Sequence, residues 1–361
     1  MNILIFLNQD TFYGGAENVL RQVGEYYLKN NHEVYVLFLR KSKYLHWEVL
    51  QNSRLHCFYG GSIKKFYKNI CHLSHLQFDY SFSSLVDFTG ILGLLKRLNI
   101  LHINHMIGRE STSIFSRFKG VALWRKKMMY HIGYPALDTL ICQTQYMKEQ
   151  LLRNLPWIEK KRVIVVPNPV CIHQMRERAE EAVDVSVIKP YIISAGRFIA
   201  EKGFDILIEA FCNLKVYNNS LKLVILGDGK LKGEIEEKIS VLGIQDSVFL
   251  PGFKENVYPW FKHAEMCVVS SRAEGFPNVL LQMMSQNNKV VCTLCAGDIE
   301  KIKGVYTCPP NDVSALYTSM KQCLSSESSD TRELFDKELL SRSIDCFIEK
   351  ATCKDNSVEN K

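Results

Sequence analysis

The chain has 361 residues, of which 47% are hydrophobic and 23% charged. This composition is typical of a globular protein. The chain is too long for one ordinary hydrophobic core and suits two domains. The formal net charge is +7, and residues 1–185 carry 24 Lys and Arg against 15 Asp and Glu, whereas the remainder carries 21 against 23. The basic first half is either a solvated face or a surface for an anionic membrane, a nucleic acid or a phosphate-bearing substrate.

The 12 cysteines have no regular spacing, and several lie in apolar runs, which is typical of small core residues in a reducing cytosol. Cys292 and Cys295 form a lone C-x-x-C without a second pair, so the sequence predicts no zinc site. The N-terminus lacks a basic region, and no apolar stretch reaches the ~18 residues that a membrane span needs. We therefore expect neither a signal peptide nor a membrane span, and any membrane contact would be peripheral.

The first half alternates apolar runs with helical patterns. Ile3–Leu7 predicts a buried strand, Thr11–Gly15 a loop, Ala16–Lys29 a helix and Val34–Leu39 a second strand. This order is the βαβ unit of a parallel sheet. Further strands are predicted at Asp79–Phe82, Ile100–Ile103, Thr139–Cys142 and Val163–Val166.

The same order restarts after the polar stretch at residues 176–189. Strands are predicted at Tyr191–Ser194, Leu221–Leu226, Val248–Leu250, Met266–Ser270 and Lys289–Cys292, with a helix from Gly203 to about Leu214. We expect one domain over residues 1–175, a second over 186–335 and a C-terminal helix with a frayed tail over 336–361. Leu340, Ile344, Phe347 and Ile348 share one predicted face of that helix, and packing back on the first domain is one possibility.

Three segments carry candidate site residues. In the first, a strand ends at Ser194, Gly196 permits a close backbone approach, and Arg197 and Lys202 flank a turn into a helix. Two cations beside a helix N-terminus suit a diphosphate, although two ordinary surface cations would give the same pattern.

The other two segments also follow strands. Gly227 lies in a turn after the strand that ends at Leu226. Glu274 lies in a Gly-Phe-Pro loop that enters a helix near Asn278, and Gln282 follows about one turn later. A carboxylate there suits sugar hydroxyls and the helix N-terminus suits phosphate, but an ordinary loop and core helix would give this segment too.

Taken together, the three segments resemble the retaining glycosyltransferases of family 4, together with Leu250–Phe253, Gly14–Glu17 and Val166–Pro169. The resemblance implies an α/β GT-B fold, which has two Rossmann-like domains with parallel sheets facing across a cleft. It implies transfer of a hexose or N-acetylhexosamine from a UDP-sugar, as in bacterial O-antigen or capsule assembly. In such an enzyme, residues 1–175 would bind the acceptor and residues 186–335 the nucleotide sugar.

The resemblance also implies roles for single residues. Arg197 and Lys202 would neutralise the donor diphosphate, and Glu274 would bind the donor sugar. Further donor contacts would come from Gly14, Gly15, Gly196, Gly227, Phe253, Phe276, Pro277, Asn278 and Val279, and His105, expected at the end of a strand, would contact the sugar. Gln282 departs from the family, which usually has a second Glu at this position that contacts the ribose.

Asp-x-Asp occurs nowhere in the chain, so we expect no metal and no cofactor. Basic and aromatic residues cluster at residues 64–68 and at 117–130. They favour a glycan acceptor linked to undecaprenyl diphosphate and a peripheral location at the inner face of the cell membrane. The alternatives are a sugar-nucleotide epimerase of related fold and a nucleotide-sugar-binding protein without turnover, and no module for nucleic acid is present.

Overall fold

The computed structural model describes residues 1–10, 15–40, 46–185, 188–327 and 330–353. The chain divides into two compact units: the first comprises Met1–Pro169 and the segment that starts at Ser343, and the second comprises Val170–Arg342. The second unit starts earlier than the predicted residue 186. The reason is that a short helix, Ile172–Arg178, begins before the polar stretch and buries Ile172 and Met175 in the core of this unit.

The first unit is built on a seven-stranded parallel sheet in the order β3-β2-β1-β4-β5-β6-β7. Its strands are β1 Asn2–Leu7, β2 Glu33–Phe38, β3 Leu55–Tyr59, β4 Gln77–Ser84, β5 His102–Arg109, β6 Thr139–Cys142 and β7 Arg162–Val165. Helices precede or follow these strands as α1 Gly15–Lys29, α2 Ile63–Leu73, α3 Val86–Arg97, α4 Ile114–Arg117, α5 Gly120–Gly133 and α6 Gln145–Asn154. Because apolar clusters cover both faces of the sheet, its central strands are buried on both sides.

The second unit contains a six-stranded parallel sheet in the order β10-β9-β8-β11-β12-β13. Its strands are β8 Tyr191–Ala195, β9 Lys222–Leu226, β10 Val248–Phe249, β11 Met266–Val269, β12 Val290–Thr293 and β13 Tyr306–Cys308. Its helices are α7 Ile172–Arg178, α8 Phe204–Tyr217, α9 Lys232–Val241, α10 Tyr258–Lys262, α11 Asn278–Gln286, α12 Val313–Ser325 and α13 Thr331–Leu340. The prediction of two Rossmann-like α/β domains is confirmed.

One strand of the first unit differs clearly from its prediction. The run Ile100–Ile103 predicted a strand that ends at residue 103, whereas β5 begins at His102 and continues to Arg109. The apolar run was misleading because the first half of β5 carries polar side chains at His102, Asn104 and His105, and its fully buried half follows them.

The C-terminal segment forms two helices where the sequence predicted one. α13 ends at Leu340, and α14 then spans Ile344–Thr352, with the Ser343 hydroxyl accepting a hydrogen bond from the Cys346 N–H as an N-cap. Leu340 is exposed and does not share a buried face with the later apolar residues. α13 packs in the second unit, whereas α14 packs against α1 and β6 in the first.

Candidate functional site

The predicted donor-site segments of the second unit meet at one edge of its sheet. Strands β9, β8, β11 and β12 are neighbours, and because they are parallel, their carboxyl ends share that edge. The Phe198 N–H donates to the Asp228 carbonyl at 2.8 Å, which joins the loops after β8 and β9. The Glu274 N–H donates to the Cys295 carbonyl at 2.8 Å, which joins the loops after β11 and β12.

Lys202 and Glu274, which lie 72 positions apart in the chain, form an ion pair at this edge. The Lys202 Nζ donates to Glu274 Oε1 at 2.8 Å, and the Ser271 hydroxyl donates to the same oxygen at 2.5 Å. The two charged side chains are only 17% and 16% exposed, so each charge is partly desolvated and compensated by the other. The structure thus brings together the predicted phosphate-binding cation and the predicted sugar-binding carboxylate.

Glycines let the backbones around this pair approach closely. A Cβ at Gly196 would lie 3.2 Å from the Lys202 side-chain carbons, so the lysine stem lies directly over this residue. A Cβ at Gly227, where φ is +141°, would lie 1.9 Å from the Gly196 carbonyl oxygen. A larger residue at Gly227 would require a shift of the main chain, whereas at Gly196 the lysine stem would have to move by a few tenths of an ångström.

Arg197 is an exposed residue that precedes Lys202 by five positions in the chain. Within the described ranges it makes neither a hydrogen bond nor an ion pair, in contrast to Lys202. An exposed guanidinium without a protein partner is suited to bind a phosphate group.

The loop after β11 leads into α11 as predicted. The helix begins at Asn278 with Pro277 as its N-cap, and the Leu280 N–H of the first turn donates to the Pro277 carbonyl at 2.9 Å. Phe276 is buried, and the Arg342 guanidinium lies 4.8 Å from the centre of its ring, so only its backbone can contact a ligand. Asn278 and Val279 are half-buried at the start of the helix.

Gln282 lies on the second turn of α11 and is half-buried. Its side chain shares a hydrogen bond with the hydroxyl of Tyr258 on α10, and burial raises the pKa of this tyrosine. Phe253, which was predicted to contact the donor, is 51% exposed in the loop after β10. The Gly252 carbonyl in the same loop accepts from the Gly227 N–H at 3.0 Å.

The first unit carries three candidate residues, Gly14, Gly15 and His105. Gly14 lies outside the described residues, and Gly15 is the exposed first residue of α1. The prediction that His105 lies at the end of a strand is wrong, because it lies in the middle of β5, where its Nε2 is 2.9 Å from the Thr139 Oγ1. The imidazole links β5 to the neighbouring strand β6. It lies four residues before the carboxyl end of its own strand.

A buried polar network occupies that carboxyl end and escaped sequence analysis. Arg109 donates to the Asn168 side chain, and the Glu110 carboxylate accepts from the hydroxyls of Tyr130 at 2.9 Å and Tyr134 at 2.5 Å. Burial raises the pKa of Glu110 to about 7 and lowers the pKa of Arg109 to about 10. The Arg-Glu pair directly after an apolar run was the available signal, and the misplaced end of β5 concealed it.

A second missed feature is Arg272, whose guanidinium forms a two-pronged ion pair with Asp205 at the start of α8. Across the described ranges, no three His, Cys, Asp or Glu side chains are grouped so as to hold a metal ion, and metal independence stays a prediction. The helices in those ranges are also too short or too polar to cross a membrane.

Comparisons with known proteins match both units. Residues 189–326 match the family described as glycosyl transferases group 1, and residues 13–174 match glycosyltransferase family 4. An N-acetylgalactosaminyltransferase of Campylobacter jejuni, whose name places its acceptor on diphospho-undecaprenol, is 27% identical over 63% of this chain and 60% of its own. The lipopolysaccharide core biosynthesis glycosyltransferase LpsE of Rhizobium meliloti is 28% identical over 44% of this chain and 45% of its own.

These matches span about half the length of the curated relatives. Solved structures match over nearly the whole chain at low identity. The Anabaena protein HepE in complex with UDP-glucose superimposes with a TM-score of 0.78 and 14% identity over 97% of this chain and all of its own. WaaG, a glycosyltransferase involved in lipopolysaccharide biosynthesis, gives a TM-score of 0.70 and 14% identity over 97% of this chain and 99% of its own. At this identity, the likeness establishes the fold.

Proposed function

Because this chain belongs to the GT-B glycosyltransferases, we propose that it transfers a hexose or N-acetylhexosamine from a UDP-sugar to a lipid-linked glycan with retention of configuration. The acceptor would be linked to undecaprenyl diphosphate, in the assembly of an O-antigen or capsule polysaccharide. The observation that carries the proposal is the partly desolvated Lys202–Glu274 pair at the carboxyl edge of the second sheet, with the exposed Arg197 five residues before the lysine in the chain.

The chemistry follows from where charge develops. When the bond between sugar and diphosphate breaks, negative charge accumulates on the leaving nucleoside diphosphate, and fixed cations lower the energy of that transition state. Arg197 is free to bind the phosphates, and Lys202 can share its three N–H groups between Glu274 and a phosphate oxygen. Glu274 keeps its hydrogen bond from Ser271 and accepts from sugar hydroxyls, while the N-terminus of α11 favours a negative charge through the helix dipole. These groups act without a metal ion.

A lipid-linked acceptor is supported by the printed name of the Campylobacter relative and by the surface of the first unit. Helix α5 exposes Val121, Trp124 and Met128, which repeat at helical spacing, with Arg125 exposed beside them. Helix α2 exposes Ile63 and Tyr67 with three lysines, Lys64, Lys65 and Lys68. Apolar side chains flanked by cations suit the interface of an anionic bilayer, which supports the proposal that the enzyme works at the cytoplasmic face of the cell membrane.

A donor screen tests the transfer reaction. UDP-, GDP- and ADP-sugars are offered with an undecaprenyl-diphosphate-linked sugar, and release of the nucleoside diphosphate is followed. We expect release that requires the acceptor and falls by roughly 100-fold or more in Arg197→Ala and Lys202→Ala, as for other residues that stabilise transition-state charge. Lys232→Ala, which removes an exposed ion pair with Glu236 on α9, is the matched control.

The alternatives give different results in the same screen. Conversion of the donor sugar without any acceptor would identify an epimerase. Donor binding without turnover for every acceptor would identify a binding protein, which the family departure at Gln282 keeps open.

Sedimentation with anionic vesicles tests the membrane contact. We expect wild type to bind vesicles that contain phosphatidylglycerol at low salt and to bind less at high salt. Trp124→Ala should weaken this binding, whereas Leu98→Ala, which removes a similarly exposed apolar side chain at the end of α3, should not. Absence of vesicle binding at every salt concentration contradicts the peripheral membrane location and leaves the transfer reaction untouched.

A further inference from the structure

The turn Ala200–Lys202 ends in the lysine of the candidate site. Hydrogen bonds to its main-chain carbonyls hold this turn in place. The Arg272 Nη1 donates to the Ala200 carbonyl at 2.6 Å, and the Arg272 backbone N–H donates to the Glu201 carbonyl at 2.7 Å. The Ser270 hydroxyl donates to the Lys202 carbonyl at 2.9 Å. Three consecutive carbonyls are therefore held by one short segment at the end of β11, and Arg272 holds two of them.

The guanidinium of Arg272 also connects the turn to the structure on either side. Nη1 and Nη2 donate to the two carboxylate oxygens of Asp205 at 2.9 and 2.6 Å, and Nε donates to Asn311 Oδ1 at 2.7 Å. Burial alone would raise the pKa of Asp205, but the Arg272 hydrogen bonds and the backbone N–H groups of α8 lower it below its usual value. Asp205 is thus an ionised partner fixed at the first turn of α8.

The hydrogen bonds that hold the turn also restrict where the Lys202 side chain can lie. Lys202 lies over Gly196, and its Nζ is placed 2.8 Å from Glu274, two residues beyond Arg272 in the chain. The segment that holds the main chain of the turn therefore leads directly to the carboxylate that holds the end of its side chain.

We propose that Arg272 is a positioning residue for sugar transfer, which holds the Ala200–Lys202 turn so that Lys202 faces the donor phosphate beside Glu274. The inference rests on the proposed transferase function and adds a residue that touches no substrate. Arg272 acts because its planar fork binds Asp205 with two hydrogen bonds while one N–H remains for the Ala200 carbonyl. A lysine carries the same charge but cannot make this set of contacts.

A purely structural arginine of the same unit supplies the control. Arg176 on α7 binds both carboxylate oxygens of Asp336 on α13 at 2.6 and 2.7 Å, and it does not contact the turn. Arg176→Ala therefore removes an arginine–aspartate ion pair, made through Nη2 alone, from the second unit without moving Lys202.

The experiment compares Arg272→Lys, Arg272→Ala and Arg176→Ala with the unsubstituted full chain. Thermal unfolding measures stability, calorimetry with UDP, GDP and ADP measures nucleotide binding, and initial rates give kcat and donor KM. We expect kcat to fall at least 10-fold in both Arg272 variants, with KM changed less than 3-fold, because Lys202 stabilises charge that develops in the transition state. Added guanidinium at millimolar concentration should restore part of the kcat of Arg272→Ala and none of the kcat of Lys202→Ala.

Several results would overturn the inference. A kcat within 2-fold of wild type in Arg272→Lys would do so, as would an equal loss of kcat in Arg176→Ala. If neither Arg272 variant folds, Asp205→Asn replaces them, since it keeps the arginine and weakens only the fork; an unchanged kcat there counts against the positioning role. A wild-type protein that binds none of the three diphosphates and transfers no sugar refutes the proposed function itself, which is a separate outcome from an Arg272 variant that matches an active wild type.

Discussion

A methyl group added at Gly203 should displace the turn that carries Lys202. Gly203 has φ +61°, and a Cβ there would lie 2.3 Å from the Ser270 carbonyl oxygen. Gly243, after α9 in the same unit, has nearly the same backbone conformation, φ +66°, but a Cβ there has no atom within 4 Å. The two Gly→Ala substitutions therefore share a backbone cost and differ in one steric contact.

The expected magnitudes follow from this geometry. Alanine in the left-handed region costs about 1–2 kcal/mol, and Gly243→Ala should lower the free energy of unfolding of the second unit by about this amount. At Gly203 the Cβ is roughly 1 Å closer to oxygen than the ~3.5 Å of ordinary contact, and relief of such overpacking costs a further ~1–3 kcal/mol. Gly203→Ala should thus lose about 2–5 kcal/mol.

The functional readout separates the two variants more sharply. Moving the Ser270 carbonyl away from residue 203 also shifts the Lys202 carbonyl that Ser270 binds, so the Lys202–Glu274 geometry changes. We expect nucleoside diphosphate affinity to fall at least 10-fold in Gly203→Ala and to stay within 2-fold of wild type in Gly243→Ala. Urea unfolding and calorimetry measure the two quantities, and equal stability and equal affinity for the two variants would refute the steric argument.

Three further substitutions test separate features. Because burial raises the pKa of Glu110 to about 7 from its ordinary 4.5, the folded protein retains a proton that the unfolded chain has released, and the free energy of unfolding should fall by ~3 kcal/mol as pH rises through this range. Glu110→Gln should flatten that dependence in urea unfolding at pH 5 and pH 8, and parallel curves for both proteins would contradict the assigned pKa. Arg342→Met keeps the apolar stem over Phe276 but removes both the cation–π contact and the ion pair with Glu338 on α13, and should lower the free energy of unfolding of the second unit by about 1–2 kcal/mol; no change in urea unfolding would show that neither charge contact stabilises the unit. Gln282→Glu should alter donor KM several-fold and kcat less than 2-fold, and activity that rises from near zero would show that the natural protein is not a working transferase.

The sequence correctly predicted the strands that are continuously apolar. β1, β6 and β9 were placed to within about a residue, since a strand buried on both faces leaves an unbroken apolar run between polar loops. Placing Lys202 and Glu274 at one edge also followed from sequence, because carboxyl ends of neighbouring parallel strands converge.

The features that sequence analysis missed or placed wrongly depend on contacts between residues far apart in the chain. The start of β5 lies where polar side chains are tolerated, so the apolar pattern ended too early and His105 was assigned to the wrong depth of the sheet. The partners of Arg272 are 67 and 39 positions away in the chain, at Asp205 and Asn311, and no local period encodes them. The two C-terminal helices were merged because their helical spacing continues across the break, whereas only tertiary packing shows that Phe335 and Phe347 enter different cores.

Gln282 changes the electrostatics of the candidate site as well as one hydrogen bond. Arg197 and Lys202 carry two positive charges against one negative charge on Glu274, and a Glu at residue 282 would bring this sum to zero. The natural Gln therefore leaves the site more attractive to a diphosphate through space, while it makes a weaker hydrogen bond to a ribose hydroxyl than a carboxylate would. Salt separates the two effects, because it screens interactions between partly exposed charges more than a direct hydrogen bond. The nucleotide affinity of Gln282→Glu relative to wild type should accordingly rise between low and high ionic strength, and a ratio that does not depend on salt would show that residue 282 acts through its hydrogen bond alone.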